Sequence, residues 1–484
     1  MANIKKNLAY STILTISTYL VPLIVFPYIS RILGVDGIGV VDTVDNIIDY
    51  CILFSMMGLT AVGIREIAKN KDNPKALSQT FTDLFALNLC STLLIAIIFG
   101  LMVWLSPDLQ DFGLLIPIGI LKLIANLFWI EWFYTGLEEF KYITIRSIIL
   151  RSLFVIATFL LVQTHTDTTT YYALFVGITI GNAICNWWHK RTFIHMDLRK
   201  ADIRHYLGPF FMLGLFAMLS AIYTKLSLPV LTFLTDSQEG GHYATATRVY
   251  QVIIALISTL TGVMIPRMSI LMKEQQFDKV RQYTQIAFKL LFLFSFPIIC
   301  FVEIFAPDIV HLFAGPGFDG AILPMRIIMI QLIIIGSAKI IVQQLLVPLR
   351  KDRAIVLAGL AGVVTWCVMT IILVPKFQSV GTTIVWLLAE LTVLLFALVE
   401  VRRSLAIRFP LTLFFISCLT AIPYLIIGYL VMQCSPHSLT RLLICMLLFV
   451  IYATLLEALY FKTGILSSCL RFFHLQSHPK EHHE

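Results

Sequence analysis

Charge is scarce in this sequence. Asp, Glu, Lys and Arg make up 13% of its 484 residues, against 58% apolar and aromatic types, and the mean hydropathy is +0.87. A water-soluble domain of this size could not carry such a balance without covering itself in contiguous apolar patches, so lipid is expected to be the solvent for most of the chain. Catalytic signatures are missing too: there is no phosphate-cradling GxxxxGK(S/T), no HExxH zinc helix and no GxSxG elbow. No loop between apolar runs is long enough to fold as a catalytic domain, and neither an enzyme nor a cofactor is expected. The nine cysteines (51, 90, 185, 300, 367, 418, 434, 445 and 469) show no CxxC or paired spacing, which implies neither a disulfide framework nor a metal site. The net charge of +8 does not point to nucleic acid, because the basic residues sit in short loops between apolar runs.

What is abundant is the long apolar run. A hydrocarbon core of roughly 30 Å needs about 20 apolar residues per helical crossing. Roughly fourteen such runs are read, over residues 8–30, 40–64, 79–104, 113–135, 144–163, 170–188, 206–229, 242–265, 283–305, 322–348, 354–374, 380–400, 410–432 and 440–461. The run after the basic Met1–Lys6 start is too long for a signal peptide and has no cleavage site, so it is read as the first span. The loops alternate between basic and non-basic. Arg65, Lys69, Lys71 and Lys75 open the basic set, followed by Lys141 and Arg146, the cluster from Lys190 to Arg204, the residues from Arg267 to Arg281, Arg350 to Arg353, and Arg402 to Arg408; the alternate loops hold a single lysine, Lys376. Basic loops stay cytoplasmic, so both termini are expected inside.

A repeat also shows. At an offset of 202 residues Pro27 matches Pro229, Gly39 matches Gly241 and Arg65 matches Arg267; at 200, Pro107-Asp108 matches Pro307-Asp308. The expected fold is an all-α polytopic membrane protein of about fourteen transmembrane helices, with two pseudo-symmetric six-helix lobes around a central cavity and two further C-terminal helices. The expected divisions are 1–204, 205–403, 404–463 and a cytoplasmic tail, 464–484.

An ionisable group at the bilayer centre costs on the order of 3 kcal/mol unless it is paired or wet, so such groups are informative. Asp42, Asp45 and Asp49 are spaced i, i+3 and i+7 and share one helix face, which should line water or meet cations. The cationic candidates are Lys122, Lys225, Arg248 and Lys339, read together as a wet cationic cavity; the alternative is that each neutralises an acid such as Asp45, Asp49 or Glu390. Those three acids are candidates for proton or cation coupling. Arg31, Arg146, Arg151, Glu131, Glu303 and Glu457 lie near span ends and are expected to snorkel. Pro22, Pro27, Pro117, Pro209, Pro297 and Pro324 are expected to bend helices, and Gly177 and Gly181 form a GxxxG pattern suited to close packing. The histidines 474, 478, 482 and 483 are read as a polar terminus.

Three stretches carry a resemblance: Pro27 to Gly39 (PYISRILGVDGIG), Trp132 to Ser147 (WFYTGLEEFKYITIRS) and Thr232 to Arg248 (TFLTDSQEGGHYATATR). They resemble the polysaccharide transporter family, the Wzx-type O-antigen and capsule repeat-unit flippases of the multidrug/oligosaccharidyl-lipid/polysaccharide exporter superfamily. The resemblance covers nearly the whole chain, with mild departures at Gly240 and His242 and a charge at Asp42. It implies an inner-membrane flippase that moves polyprenyl-diphosphate-linked oligosaccharides by alternating access, with the lipid bilayer and polysaccharide polymerase machinery as partners and no nucleic acid. It transfers no role to a particular charged residue. A drug/cation antiporter of the same superfamily and a membrane polysaccharide polymerase are the competing readings.

Overall fold

The computed structural model describes residues 2–349, 351–434 and 438–458. Arg350, Cys469, the tail histidines and the end of the last expected span lie outside them. The described residues are helical throughout, with no strand: α1 (Ala2–Met56), α2 (Leu59–Asn70), α3 (Pro74–Leu105), α4 (Pro107–Gln110), α5 (Leu115–Phe128), α6 (Glu131–Gly136), α7 (Phe140–Leu161), α8 (Thr168–His189), α9 (Arg204–Lys225), α10 (Ser227–Leu234), α11 (Ser237–Lys273), α12 (Phe277–Phe313), α13 (Ile322–Lys339), α14 (Asp352–Leu405), α15 (Leu411–Cys434) and α16 (Ser438–Leu456).

Among the described residues, nine helices are long and apolar enough to cross a membrane. Two of them are too long for one crossing. At 1.5 Å per residue, the 55 residues of α1 and the 54 of α14 would each run roughly 80 Å. Each contains a non-helical residue, Gly34 (φ 70°) in α1 and Gln378 (φ 49°) in α14, so each supplies two crossings. With α8, the α9–α10 pair and α11, which fall outside the nine, the count reaches about fourteen. The chain is an all-α polytopic membrane protein.

The breaks fall elsewhere than the prolines. Pro22 and Pro27 stay inside α1, and the chain turns instead at Gly34, in a backbone region that L side chains enter at a cost. Where proline does act, it starts a helix: Pro74 opens α3 behind Asn73, whose side chain accepts from the backbone N–H groups of Lys75 and Ala76 at 3.2 Å.

The chain forms two compact units. The first comprises 1–244, 313–320 and 369–382. Its core is an aromatic cluster at one end of α2, α3 and α6, where Phe81 stacks on Trp132 at 5.6 Å and meets Phe133 at 5.0 Å. Gly63 makes room for this cluster, since a Cβ there would strike the Trp132 ring. The repeat-related glycines meet within this unit: a Cβ on Gly39 would collide with the Ser237 carbonyl and the Gly241 nitrogen, and one on Gly241 with the Val35 carbonyl. Of the GxxxG pair in α8, Gly181 packs against Leu150 of α7, while Gly177 faces open space.

The second unit contains 245–312, 321–368 and the described residues from 383 onward. Here Cys300, Phe305, Tyr424 and Phe449 join α12, α15 and α16, and Arg441 pairs with Asp308 at 2.8 Å.

Candidate functional site

The acidic stripe lies on the half of α1 that follows Gly34. Asp45 and Asp49 are one helical turn apart, near the middle of the roughly 33 Å between Gly34 and Met56. Facing them from α5 is Lys122, whose Nζ donates to Asp45 at 2.6 Å and to Asp49 at 2.8 Å. The other oxygen of Asp49 accepts from Lys225 Nζ at 2.7 Å. Lys225 is the last residue of α9, and its charge sits favourably against the carbonyl end of that helix.

Asp49 therefore bridges two lysines, and the two carboxylates and two ammoniums sum to zero. The four are unequally sheltered. The Lys122 side chain is 8% exposed and that of Lys225 is 43% exposed, so the quartet runs from a sealed end to an open one. Two residues of α8 complete the sealed end: the Phe175 ring lies 5.3 Å from Lys122 Nζ, and the buried Tyr172 hydroxyl stands beside the two carboxylates. Sequence spacing gave no hint of these two aromatics, because apolar residues on a membrane helix look alike whether they face lipid or a charge. Gly119 keeps α5 close, since a Cβ there would strike Ile48.

Arg248, Lys339 and Glu390 lie in the second unit. Lys339, half-buried at the end of α13, interacts with Glu390, which is buried on α14. Arg248 is half-buried on α11. Asp42 continues the stripe one turn before Asp45 and is half-buried.

Two expectations from the sequence are corrected, and the first is that of Glu457, expected to snorkel but buried at 5% exposure. Arg146, expected to snorkel, is buried at 6% exposure. It donates to the Asn186 side chain, to Ser147 at 3.1 Å and to Glu131 at 3.4 Å. Glu131 also accepts from Trp129 at 2.8 Å, where the fourth expected span is interrupted between α5 and α6. A buried guanidinium requires such partners. Arg151, nearby, donates to Ser17 and to the Leu14 carbonyl of α1.

A many-spanning helical chain with a charge quartet set among its spans, sealed at one end and open at the other, is the architecture of a membrane transporter, and comparison with known proteins agrees. Residues 4–272 match the family described as polysaccharide biosynthesis protein, more than half of the chain, and the chain belongs to that family. It is similar to proteins named "Putative O-antigen transporter" from Escherichia coli (strain K12) and Shigella dysenteriae. The first is 23% identical over 83% of this chain and 97% of its own length, the second 23% identical over 82% and 100%. The fold is similar to that of the lipid II flippase MurJ in an inward closed conformation, with a TM-score of 0.70 at 16% identity over 93% of this chain and 99% of that one. It is also similar to an inward-facing multidrug resistance MATE family transporter of the MOP superfamily, with a TM-score of 0.63 at 15% identity over 80% and 94%.

Proposed function

We propose that this protein is a flippase that carries polyprenyl-diphosphate-linked oligosaccharide repeat units, precursors of O-antigen, capsule or exopolysaccharide, across the bacterial inner membrane by alternating access. The observation that carries the proposal is the neutral quartet of Asp45, Asp49, Lys122 and Lys225. A bare ammonium at mid-membrane is costly, so a site for an anionic headgroup is best held charge-balanced until its ligand arrives. Lys225, the open member, exchanges the Asp49 carboxylate for a diphosphate oxygen, while Asp49 keeps its bond to Lys122. Protonating Asp49 would release Lys225 in the same way, so Asp45 and Asp49 serve as the coupling acids. Arg248 and Lys339, with Glu390 as the acid, play the corresponding roles in the rest of the chain.

The names of the relatives and the likeness to a lipid flippase support this reading. The alternation of basic loops supports an orientation with both termini in the cytoplasm. The working division is two six-helix halves, 1–204 and 205–403, two additional helices in 404–463 and a tail, 464–484. Polysaccharide polymerase machinery is the expected recipient of the product.

The test is single alanine substitution of Lys122, Lys225, Arg248 and Lys339 in a strain deleted for the gene, scoring surface polysaccharide beside membrane abundance. Normal abundance with lost polysaccharide is expected for Lys225→Ala. Full polysaccharide from all four variants would overturn the site.

A further inference from the structure

α5 and α8 carry a second feature on faces other than those turned to the quartet. An apolar groove of about 540 Å³ runs between them, lined by Leu121, Ile124 and Phe128 from α5 and by Ile180, Ile184 and Trp187 from α8. Its volume is that of an ordinary ligand pocket, ~300–1,000 Å³. These positions recur at helical spacing, and Leu121, Ile124 and Ile184 are exposed, so the groove opens toward the lipid. At one end it reaches Arg191, beside the exposed Trp188. From Ile180 to Arg191 the helical rise amounts to roughly 16 Å, about half of a 30 Å hydrocarbon core. The groove is therefore one leaflet deep, with a tryptophan and a cation at its interfacial end.

That end has a surplus of positive charge. Among the described residues neither Arg191 nor its neighbour Lys190 forms an ion pair. Lys190 is buried, its Nζ lies 3.4 Å from the centre of the Trp187 ring that lines the groove, and its one polar contact is Met196 Sδ at 3.8 Å. Burial and the adjacent guanidinium push its ammonium down to about 8. A zwitterionic headgroup would bring another ammonium to this place, whereas a net negative one would satisfy it. A long polyprenyl tail would overrun a groove one leaflet deep.

We infer that this groove is a binding site for an anionic glycerophospholipid, its acyl chain lying between α5 and α8 and its headgroup phosphate on Arg191. The site is separate from the quartet and independent of the substrate transported.

Native mass spectrometry of the full chain, released from membranes containing equal phosphatidylglycerol and phosphatidylethanolamine with a trace of polyprenyl phosphate, tests this. The wild type is expected to retain one phosphatidylglycerol with about fivefold preference, the worth of one basic residue against an anionic lipid surface. Arg191→Gln should abolish the preference, Ile184→Trp should block retention by filling the groove, and Arg199→Gln, an exposed cation of the same loop, should leave it unchanged. Equal retention by wild type and Arg191→Gln, equal loss in Arg199→Gln, polyprenyl phosphate in place of the phospholipid, or displacement by inorganic phosphate would each overturn the assignment.

Discussion

Lys122 and Lys225 carry the same charge and share Asp49, yet their surroundings give them different work. Lys122 is enclosed and holds two carboxylates, so Lys122→Ala strands Asp45 in a low-dielectric setting and leaves Asp49 to Lys225 alone, at a cost of about 3–5 kcal/mol. Lys225 is partly open, and its loss leaves Asp49 still paired, a cost of about 1 kcal/mol or less. Melting temperatures in detergent should therefore fall steeply for Lys122→Ala and little for Lys225→Ala, and Asp45→Asn, which removes the acid left without a partner, should restore the Lys122→Ala protein. Equal melting of the two single variants would contradict this division.

Lys190 makes a pH-dependent prediction at the same scale. Its folded-state value of about 8 lies below the usual 10.5, so between those pH values the unfolded chain binds more protons and stability rises with pH. Below pH 8 the folded state bears the whole cost of the buried charge. In neutral detergent, Lys190→Met should melt higher than wild type at pH 7, and the gap should narrow as pH rises from 8 toward 10.5. A gap that stays constant over that window would contradict the assignment.

At the scale of the helix, glycine shapes this chain more than proline does. Proline removes one backbone hydrogen bond and bends a helix that can continue past it, as α1 does at Pro22 and Pro27, whereas Gly34 adopts a backbone conformation that ends the helical path. Gly34→Ala should cost about 1–3 kcal/mol, because φ 70° with ψ −179° is a region essentially restricted to glycine. Gly39→Ala should cost more, because its Cβ meets backbone atoms that cannot turn aside, while Gly177→Ala should be neutral or slightly stabilising because nothing lies within reach. Thermal melts of the three variants check the order, and a destabilised Gly177→Ala would show that this face is packed after all.

For the molecule as a whole, the number of crossings was legible because a bilayer demands a fixed apolar length from every span, and fourteen runs in the sequence become about fourteen crossings. Breaks inside spans were less so: the interruption at Trp129 and Ile130 lies in an apolar run with no proline or glycine to mark it. The acidic stripe could be read from its i, i+3, i+7 spacing, a local property of one helix. Its partners could not be assigned, since Lys122 lies 73 and 77 residues from Asp49 and Asp45 and meets them only through the packing of α5 on α1. The same holds for Arg146, whose burial depends on Asn186, 40 residues away.

The central claim is that the quartet handles an anionic lipid-linked headgroup during transport. The most direct measurement reconstitutes the purified chain in liposomes with a polyprenyl-diphosphate-linked oligosaccharide and follows its movement between leaflets by accessibility to an added glycan-binding probe. Wild type should equilibrate the two leaflets, Lys225→Ala should slow transfer at least tenfold while remaining folded, and Asp49→Asn should alter the response to an imposed proton gradient. Wild-type rates from a folded Lys225→Ala protein would contradict the account.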